Sequence, residues 1–339
     1  MDLSTPIHAR LQSDDAGPAA ARIAVLVPCY NEAAAVADVV QGFRRALPGA
    51  VVYVYDNNST DETGAVAARA GAVVRRAPLQ GKGNVVRRMF ADVEADIYVL
   101  VDGDGTYDAA AAPTLVRRLV EDDLDMVCGA RRATEQAAFR QGHRFGNRLL
   151  SGLVRRIFGP QFRDMLTGYR VFSRRFVKSF PAQSHGFEIE TELTVHALQM
   201  RLPSEEIDTV YGARPEGSES KLNTIRDGLR ILRMISLLVR EERPLQFFGA
   251  IVLAALFFAA ALGGPVVVDY LRLGMVPRFP SLIVAVGLAV TGLLSFACGL
   301  ILDTVARARL EQRRLAYLAV PGPAILEPAL GRQRQAFGG

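Results

Sequence analysis

Ile97-Tyr98-Val99-Leu100-Val101-Asp102-Gly103-Asp104 decides how this chain reads. Five apolar residues in a row, mostly β-branched or aromatic, fit a strand buried on both faces. The run stops on two carboxylates separated by one glycine. In an open α/β sheet, ligands bind beyond the carboxyl ends of the strands, so these acids stand where a ligand belongs. Asp102 and Asp104 can turn toward one hard cation. Mg2+ or Mn2+ takes oxygen ligands and keeps waters and substrate phosphates in its shell. The pair therefore points to a metal bridging to a diphosphate. Alone, such a triplet also fits a turn or a helix cap; its place after a strand sets it apart.

Upstream the chain alternates. Ile23-Ala24-Val25-Leu26-Val27 is an apolar run ending at Pro28, and a helix is expected over 33–46. Val51-Val52-Tyr53-Val54-Tyr55 is a second strand, stopped by Asp56-Asn57-Asn58-Ser59, which suit a turn and cap a helix over 61–70. Val73-Val74 is a short third strand and residues 81–94 a further helix. Strands alternating with helices imply an α/β fold with a doubly wound, mostly parallel sheet. Residues 1–21 lack an apolar core and read as a tail.

The 339 residues hold three cysteines and four histidines, too scattered for a disulfide scaffold or a Cys/His metal centre. The net charge of +5 conceals a split. Residues 22–130 carry 11 Lys/Arg against 15 Asp/Glu, whereas residues 131–180 carry 12 against 2. Such a basic block faces an anion or an anionic surface. Lipid is favoured over nucleic acid because two uncharged apolar runs follow, 245–268 and 281–302, each long enough to cross a bilayer. They form a hairpin across a short connector. Arg233, Arg240 and Arg243 precede it and Arg307, Arg309, Arg313 and Arg314 follow, which places the N-terminal domain and the basic 303–339 tail in the cytoplasm. Residues 222–243 place apolar side chains at helical spacing and are expected to lie along the membrane interface.

Two further features carry chemistry. Asp56, at a strand end, suits a base edge or ribose. Lys82, in Gly81-Lys82-Gly83-Asn84, opens a helix whose N-terminus favours anions. The Walker A and G-x-G-x-x-G spacings are absent.

Together, Val27-Pro28-Cys29-Tyr30-Asn31-Glu32, Asp56-Asn57-Asn58-Ser59-Thr60-Asp61, Gly81-Lys82-Gly83 and Asp102-Gly103-Asp104 resemble family 2 glycosyltransferases of the GT-A-type fold. Gly129-Ala130-Arg131, Thr167-Gly168-Tyr169-Arg170, the 214–221 segment and the apolar hairpin look like the dolichol-phosphate mannose synthase and polyprenyl-phosphate branch. The resemblance implies a catalytic domain over 22–221 and a metal-dependent hexosyltransferase. Pro28, Tyr30, Glu32, Asp56, Asn58 and Lys82 would bind the nucleotide-diphosphate sugar, and Asp102 and Asp104 the Mg2+ or Mn2+. Arg131, Arg144, Arg170, Arg214, Ser220 and Lys221 would receive the acceptor phosphate, with Arg131 and Arg214 acting in catalysis. Two positions depart from the pattern: Asn57 stands where an acid is common, and Thr106 where relatives carry Gln, which leaves a third metal ligand open. UDP and GDP donors are both compatible with these residues, as is a homo-oligomer.

The expected reaction moves a sugar to a polyprenyl phosphate, which needs cationic positioning but no strong base. A hydroxyl acceptor would instead need a carboxylate base, for which Glu188, Glu190 and Glu192 are candidates. Glu188 and Glu192 share a face if the segment is helical, and all three also suit the acidic start of a helix. A third reading is a non-catalytic membrane scaffold, against which the retained Asp56, Lys82, Asp102 and Asp104 count.

Overall fold

The computed structural model describes residues 21–133, 162–212, 240 and 243–321. Arg144, Arg214, Ser220, Lys221 and nearly all of the expected interfacial segment 222–243 lie outside them. Seven strands form one sheet: β1 (Ile23–Cys29), β2 (Val51–Asp56), β3 (Val73–Arg76), β4 (Ile97–Leu100), β5 (Met126–Ala133), β6 (Arg170–Ser173) and β7 (Ser204–Tyr211). Their order is β3-β2-β1-β4-β6-β5-β7. All neighbours are parallel except β6, which runs antiparallel to β4 and β5. Because of that reversal, residues just before β6 return to the edge at which β4 ends, with Leu100 opposite Arg170.

Helices α1 (Val36–Ala46), α2 (Thr63–Arg69), α3 (Lys82–Asp92) and α4 (Ala112–Glu121) alternate with the first five strands. Helix α5 (Arg174–Ser179) follows β6, and α6 (Ile189–Met200) precedes β7. Strand periodicity splits the core into two layers. Ala24 and Leu26 of β1, with Tyr98 and Leu100 of β4, pack under α3, α5 and α6. Val25 and Val27, with Val99 and Val171, pack under α1, α2 and α4. Strand β1 passes through Pro28, one residue beyond expectation. Its pairing with β4 has ended at Leu26, so the missing proline N–H costs no bond on that side.

Two long helices complete the described chain, α7 (Pro244–Leu273) and α8 (Phe279–Leu318). Both are long and apolar enough to cross a membrane. Their apolar side chains face outward, as Leu253 at 72% and Leu293 at 69% exposure illustrate. That separates them from the core helices of a soluble domain. Asp269 and Arg278 pair across the turn of the hairpin at 3.2 Å. Helix α8 does not stop where its apolar run does. Its final turns dock on the sheet domain: Arg313 donates to Gln199 of α6 at 2.8 Å, and the Tyr317 hydroxyl to Asp125 at 2.9 Å. The Arg175 guanidinium lies over the Tyr317 ring, 5.2 Å from its centroid.

Candidate active site

The carboxyl ends of β1, β2, β4 and β5 meet along one rim. The loops after β1 and β2 are sewn together there. Asn31 accepts from the Thr60 N–H at 2.7 Å, and the Asn31 N–H donates to Ser59 Oγ at 2.9 Å. The Glu32 N–H donates to Thr63 Oγ1 at 2.8 Å. Pro28, Tyr30, Glu32, Asp56 and Asn58 therefore share one rim. Tyr30 is exposed and Glu32 buried, and Asp56 accepts from the Ser59 N–H at 3.0 Å.

Asn57, noted as a departure from the acidic pattern, has a defined task. Its amide donates to the carbonyls of Ala77 and Leu79, both at 2.8 Å, and its oxygen accepts from the Gly81 N–H at 2.8 Å. A carboxylate could not make the first two bonds. Asn57 thus pins the 77–81 loop that presents Lys82. Gly81 takes φ +121°, where a side chain would collide with the His185 carbonyl oxygen.

Lys82 was expected to lend an anion site with the N-terminus of α3. The structure divides these roles. The N–H groups of Gly83 and Asn84 already donate to the carbonyls of Gly186 and His185, at 3.1 and 3.4 Å. The start of α3 is thereby closed by the 184–186 loop, and only the Lys82 side chain reaches the rim. Its ammonium sits between Asp102 and Glu190, paired with Asp102 and 2.5 Å from Glu190 Oε1. Burial opposes its charge, but the two carboxylates outweigh burial and hold Lys82 above the ordinary lysine range.

Glu190 is the acid that sequence reasoning placed least well. The expectation singled out Glu188 and Glu192 as a facing pair. Instead the Glu192 carboxylate straps the 183–184 loop, accepting from the N–H groups of Gln183 and Ser184 at 2.8 Å each. Glu188 accepts from the Gly186 N–H at 3.1 Å. Helix α6 is buried on nearly all sides, so each acid on it must find a partner. A lysine flanked by glycines before an apolar helix was the available signal, since such a cation also needs a counter-charge on folding.

Asp102 and Asp104 behave differently from each other. Asp104 is buried, and its Oδ1 accepts from the Thr106 N–H at 3.1 Å and hydroxyl at 2.6 Å. Thr106 thus orients Asp104. Asp102 keeps 28% of its side chain exposed and faces Gly168 so closely that any Cβ there would collide with the carboxylate. Tyr107 fixes that approach, its hydroxyl accepting the Gly168 N–H at 2.8 Å. Among the described residues, no group of three or more His, Cys, Asp or Glu side chains is arranged around a metal position. The two aspartates nevertheless fit a divalent ion: they are hard oxygen donors, and a cation, the Lys82 ammonium, already rests on Asp102.

Arg131 closes the far side. It grips Asp164 through Nε and Nη2, both at 2.7 Å, and its guanidinium lies 5.7 Å from the Tyr211 ring centroid. Tyr211 in turn packs edge-on to Tyr107 at 5.1 Å. Asp102, Gly168, Tyr107, Tyr211 and Arg131 are therefore contiguous. Arg170, expected on the acceptor phosphate, is not part of this rim. It is fully buried, donating to the carbonyls of Thr167 at 3.1 Å and Met165 at 2.7 Å and to the Thr194 hydroxyl at 2.8 Å. It holds the 165–168 turn in place instead.

Comparison with known proteins now decides the family. Glycosyl transferase family 2 matches residues 24–180. Glycosyltransferase AglJ of Haloferax volcanii is 36% identical over 250 residues, 73% of this chain and 81% of that protein. The chain belongs to glycosyl transferase family 2. Protein RfbJ of Shigella flexneri is 56% identical over 36% of the chain and 95% of its own length. A dolichyl-phosphate hexose transferase of H. volcanii is 26% identical over 65% of the chain and 95% of its own length. Among solved structures, glucosyl-3-phosphoglycerate synthase from Mycobacterium tuberculosis, in complex with Mn2+, UDP-glucose and phosphoglyceric acid, superposes with a TM-score of 0.55. It does so at 24% identity over 65% of this chain and 79% of that one. As a family 2 glycosyltransferase of GT-A-like fold, the protein is an enzyme that transfers a sugar.

Proposed function

We propose that this glycosyltransferase moves a hexose from a nucleotide-diphosphate sugar to a polyprenyl phosphate, with inversion, at the cytoplasmic face of a membrane crossed by α7 and α8. The observation that carries the reading is the commitment of the glutamates. Glu188 and Glu192 serve loop N–H groups and Glu190 is paired with Lys82. Among the described residues, none of these three is a free carboxylate base beside Asp102. A phosphate monoester, with its second pKa about 6, is already an anionic nucleophile at neutral pH and needs none. Two helices of membrane-crossing length on the same chain supply the place where such a lipid resides. The dolichyl-phosphate hexose transferase relative supports the acceptor class.

In this reading Asp102 and Asp104 hold the Mg2+ or Mn2+. The ion, when bound, neutralises charge on the departing diphosphate. Pro28, Tyr30, Glu32, Asp56 and Asn58 line the nucleoside end. Lys82 lies against the diphosphate. Arg131 offers the acceptor phosphate the guanidinium edge that Asp164 leaves open, assisted by Arg144, Arg214, Ser220 and Lys221. The acceptor oxygen bonds to C1 as the C1–O bond to the diphosphate breaks, so no proton need be removed. The experiment is a donor screen with the full chain in detergent, undecaprenyl phosphate and Mn2+ or Mg2+, reading the lipid by mass. A sugar-phosphate-lipid product is expected. Nucleotide release that depends on a hydroxyl acceptor, with no such lipid formed by any donor, would overturn the proposal.

The competing hydroxyl reading is favoured by two of the three glutamates: Glu190 Oε2 and Glu188 Oε2 are both buried without a hydrogen-bond partner. Under that reading Glu190→Gln abolishes kcat with metal binding intact.

A further inference from the structure

We propose that Lys82 is a built-in stand-in for the divalent ion, and that Glu190 is the positioning residue that takes the ammonium over when the ion claims Asp102. The inference rests on the metal role of Asp102 but on no particular sugar or acceptor. Three observations carry it. The Lys82 ammonium is paired with Asp102, the more exposed aspartate and the one an incoming ion meets first. The same ammonium is already 2.5 Å from Glu190 Oε1, so giving up Asp102 requires no new partner to be found. Glu190 also holds a second carboxylate oxygen, Oε2, buried and unpartnered, which is spare accepting capacity for the ammonium.

The physical logic is competition between two cations for one carboxylate. A metal-free Asp102/Asp104 pair would face like-charge repulsion in a half-buried rim, with Glu190 adding a third negative charge. Lys82 relieves that repulsion at rest. When the ion arrives, like charges would repel if the ammonium stayed. Glu190 lets it withdraw by a small rotation while remaining neutralised, which keeps a desolvated lysine from being stranded. An ammonium released from Asp102 would remain beside Glu190 and be available to a diphosphate. Helix α3 and the Asn57-pinned loop hold the lysine backbone fixed, so only the end of the side chain has to move.

The test is a Mn2+ titration of the full chain in detergent by electron paramagnetic resonance, with neither nucleotide nor lipid present. Four proteins are compared: wild type, Lys82→Met, Glu190→Gln and the double variant. Lys82→Met is expected to bind Mn2+ about tenfold tighter, because the competitor is gone. Glu190→Gln is expected to bind it at least threefold more weakly, because the ammonium clings to Asp102. In the Lys82→Met background the same Glu190→Gln change should alter affinity less than twofold. Simple through-space attraction would give equal effects in both backgrounds, and that additivity would overturn the proposal. So would a double variant that binds Mn2+ no tighter than wild type. If Lys82→Met fails to fold because Glu190 is left unpaired, the double variant, in which no glutamate is left unpaired at position 190, still decides. A failed donor screen with an intact titration would defeat only the acceptor assignment; a failed titration with lipid product formed would defeat only this inference.

Discussion

Gly168→Ala is the most demanding substitution this site offers. A Cβ at position 168 would lie 2.7 Å from Asp102 Cγ and 2.9 Å from Oδ1, against 3.4 Å or more for ordinary contact. The Asp102 carboxylate must therefore recede by about 1 Å, and a shift of that size at a reacting site costs about 100-fold in rate. Gly168 cannot recede instead, because its N–H is held by Tyr107 and the turn beneath it by Arg170. The fold should survive, since one extra methyl in a packed site costs about 1–3 kcal/mol. The assay is nucleotide release against Mn2+ concentration, paired with a thermal melt. The expected result is a fall in kcat/KM near 100-fold and a higher Mn2+ requirement, with Tm lowered by a few degrees. Activity within threefold of wild type at limiting Mn2+ would refute the claim that Gly168 sets the position of Asp102.

Two further outcomes follow from buried groups. Arg170→Met removes donors to three oxygens inside the core, at roughly 1 kcal/mol each or more; unfolding should come at least about 3 kcal/mol sooner while the acceptor KM of the folded protein is unchanged, and a raised KM with an unchanged melt would return Arg170 to the acceptor site. Burial, with a smaller push from the Arg313 charge, lowers the His196 imidazole from 6.5 to about 3. Between those values the unfolded chain holds a proton the folded chain refuses, so stability is full above pH 6.5 and drains away as pH falls toward 3. His196→Phe should flatten the acid limb of a denaturation series by up to about 1.4 kcal/mol per pH unit, and parallel curves for the two proteins would exclude His196 as the source.

Local patterns carried the sheet and the aspartates. The apolar runs of β1, β2 and β4 needed no distant partner to be recognised, and Asp102 was visible because it ends one of them. What escaped depended on distance along the chain. Lys82 meets Glu190 across 108 residues, and no spacing rule reaches that far. Asn57 read as a lost acid because the carbonyls it serves lie 20 and 22 residues on. Arg170 sits in a basic block and looked like one more surface cation. Nothing in Thr167-Gly168-Tyr169-Arg170 shows that the neighbouring carbonyls turn inward to meet it. Gly168 belonged to a recognised motif, but its reason, the room it leaves for Asp102, exists only once β6 has folded back against β4.

The far end of α8 bears on how the enzyme meets a lipid. Residues 303–318 continue the helix beyond the apolar run; Leu310 already packs on the domain core, so at 1.5 Å per residue the stretch before it forms a post about 10 Å tall. Above it the helix is bolted to the sugar-transferring domain by Tyr317 and Arg313. A domain mounted on a rigid post cannot dip and sway as one on a slack leash can. With the hairpin seated in the bilayer and a lipid as acceptor, both as proposed, the reacting rim rides at a set altitude, and the lipid headgroup must climb to it rather than wait for it to descend.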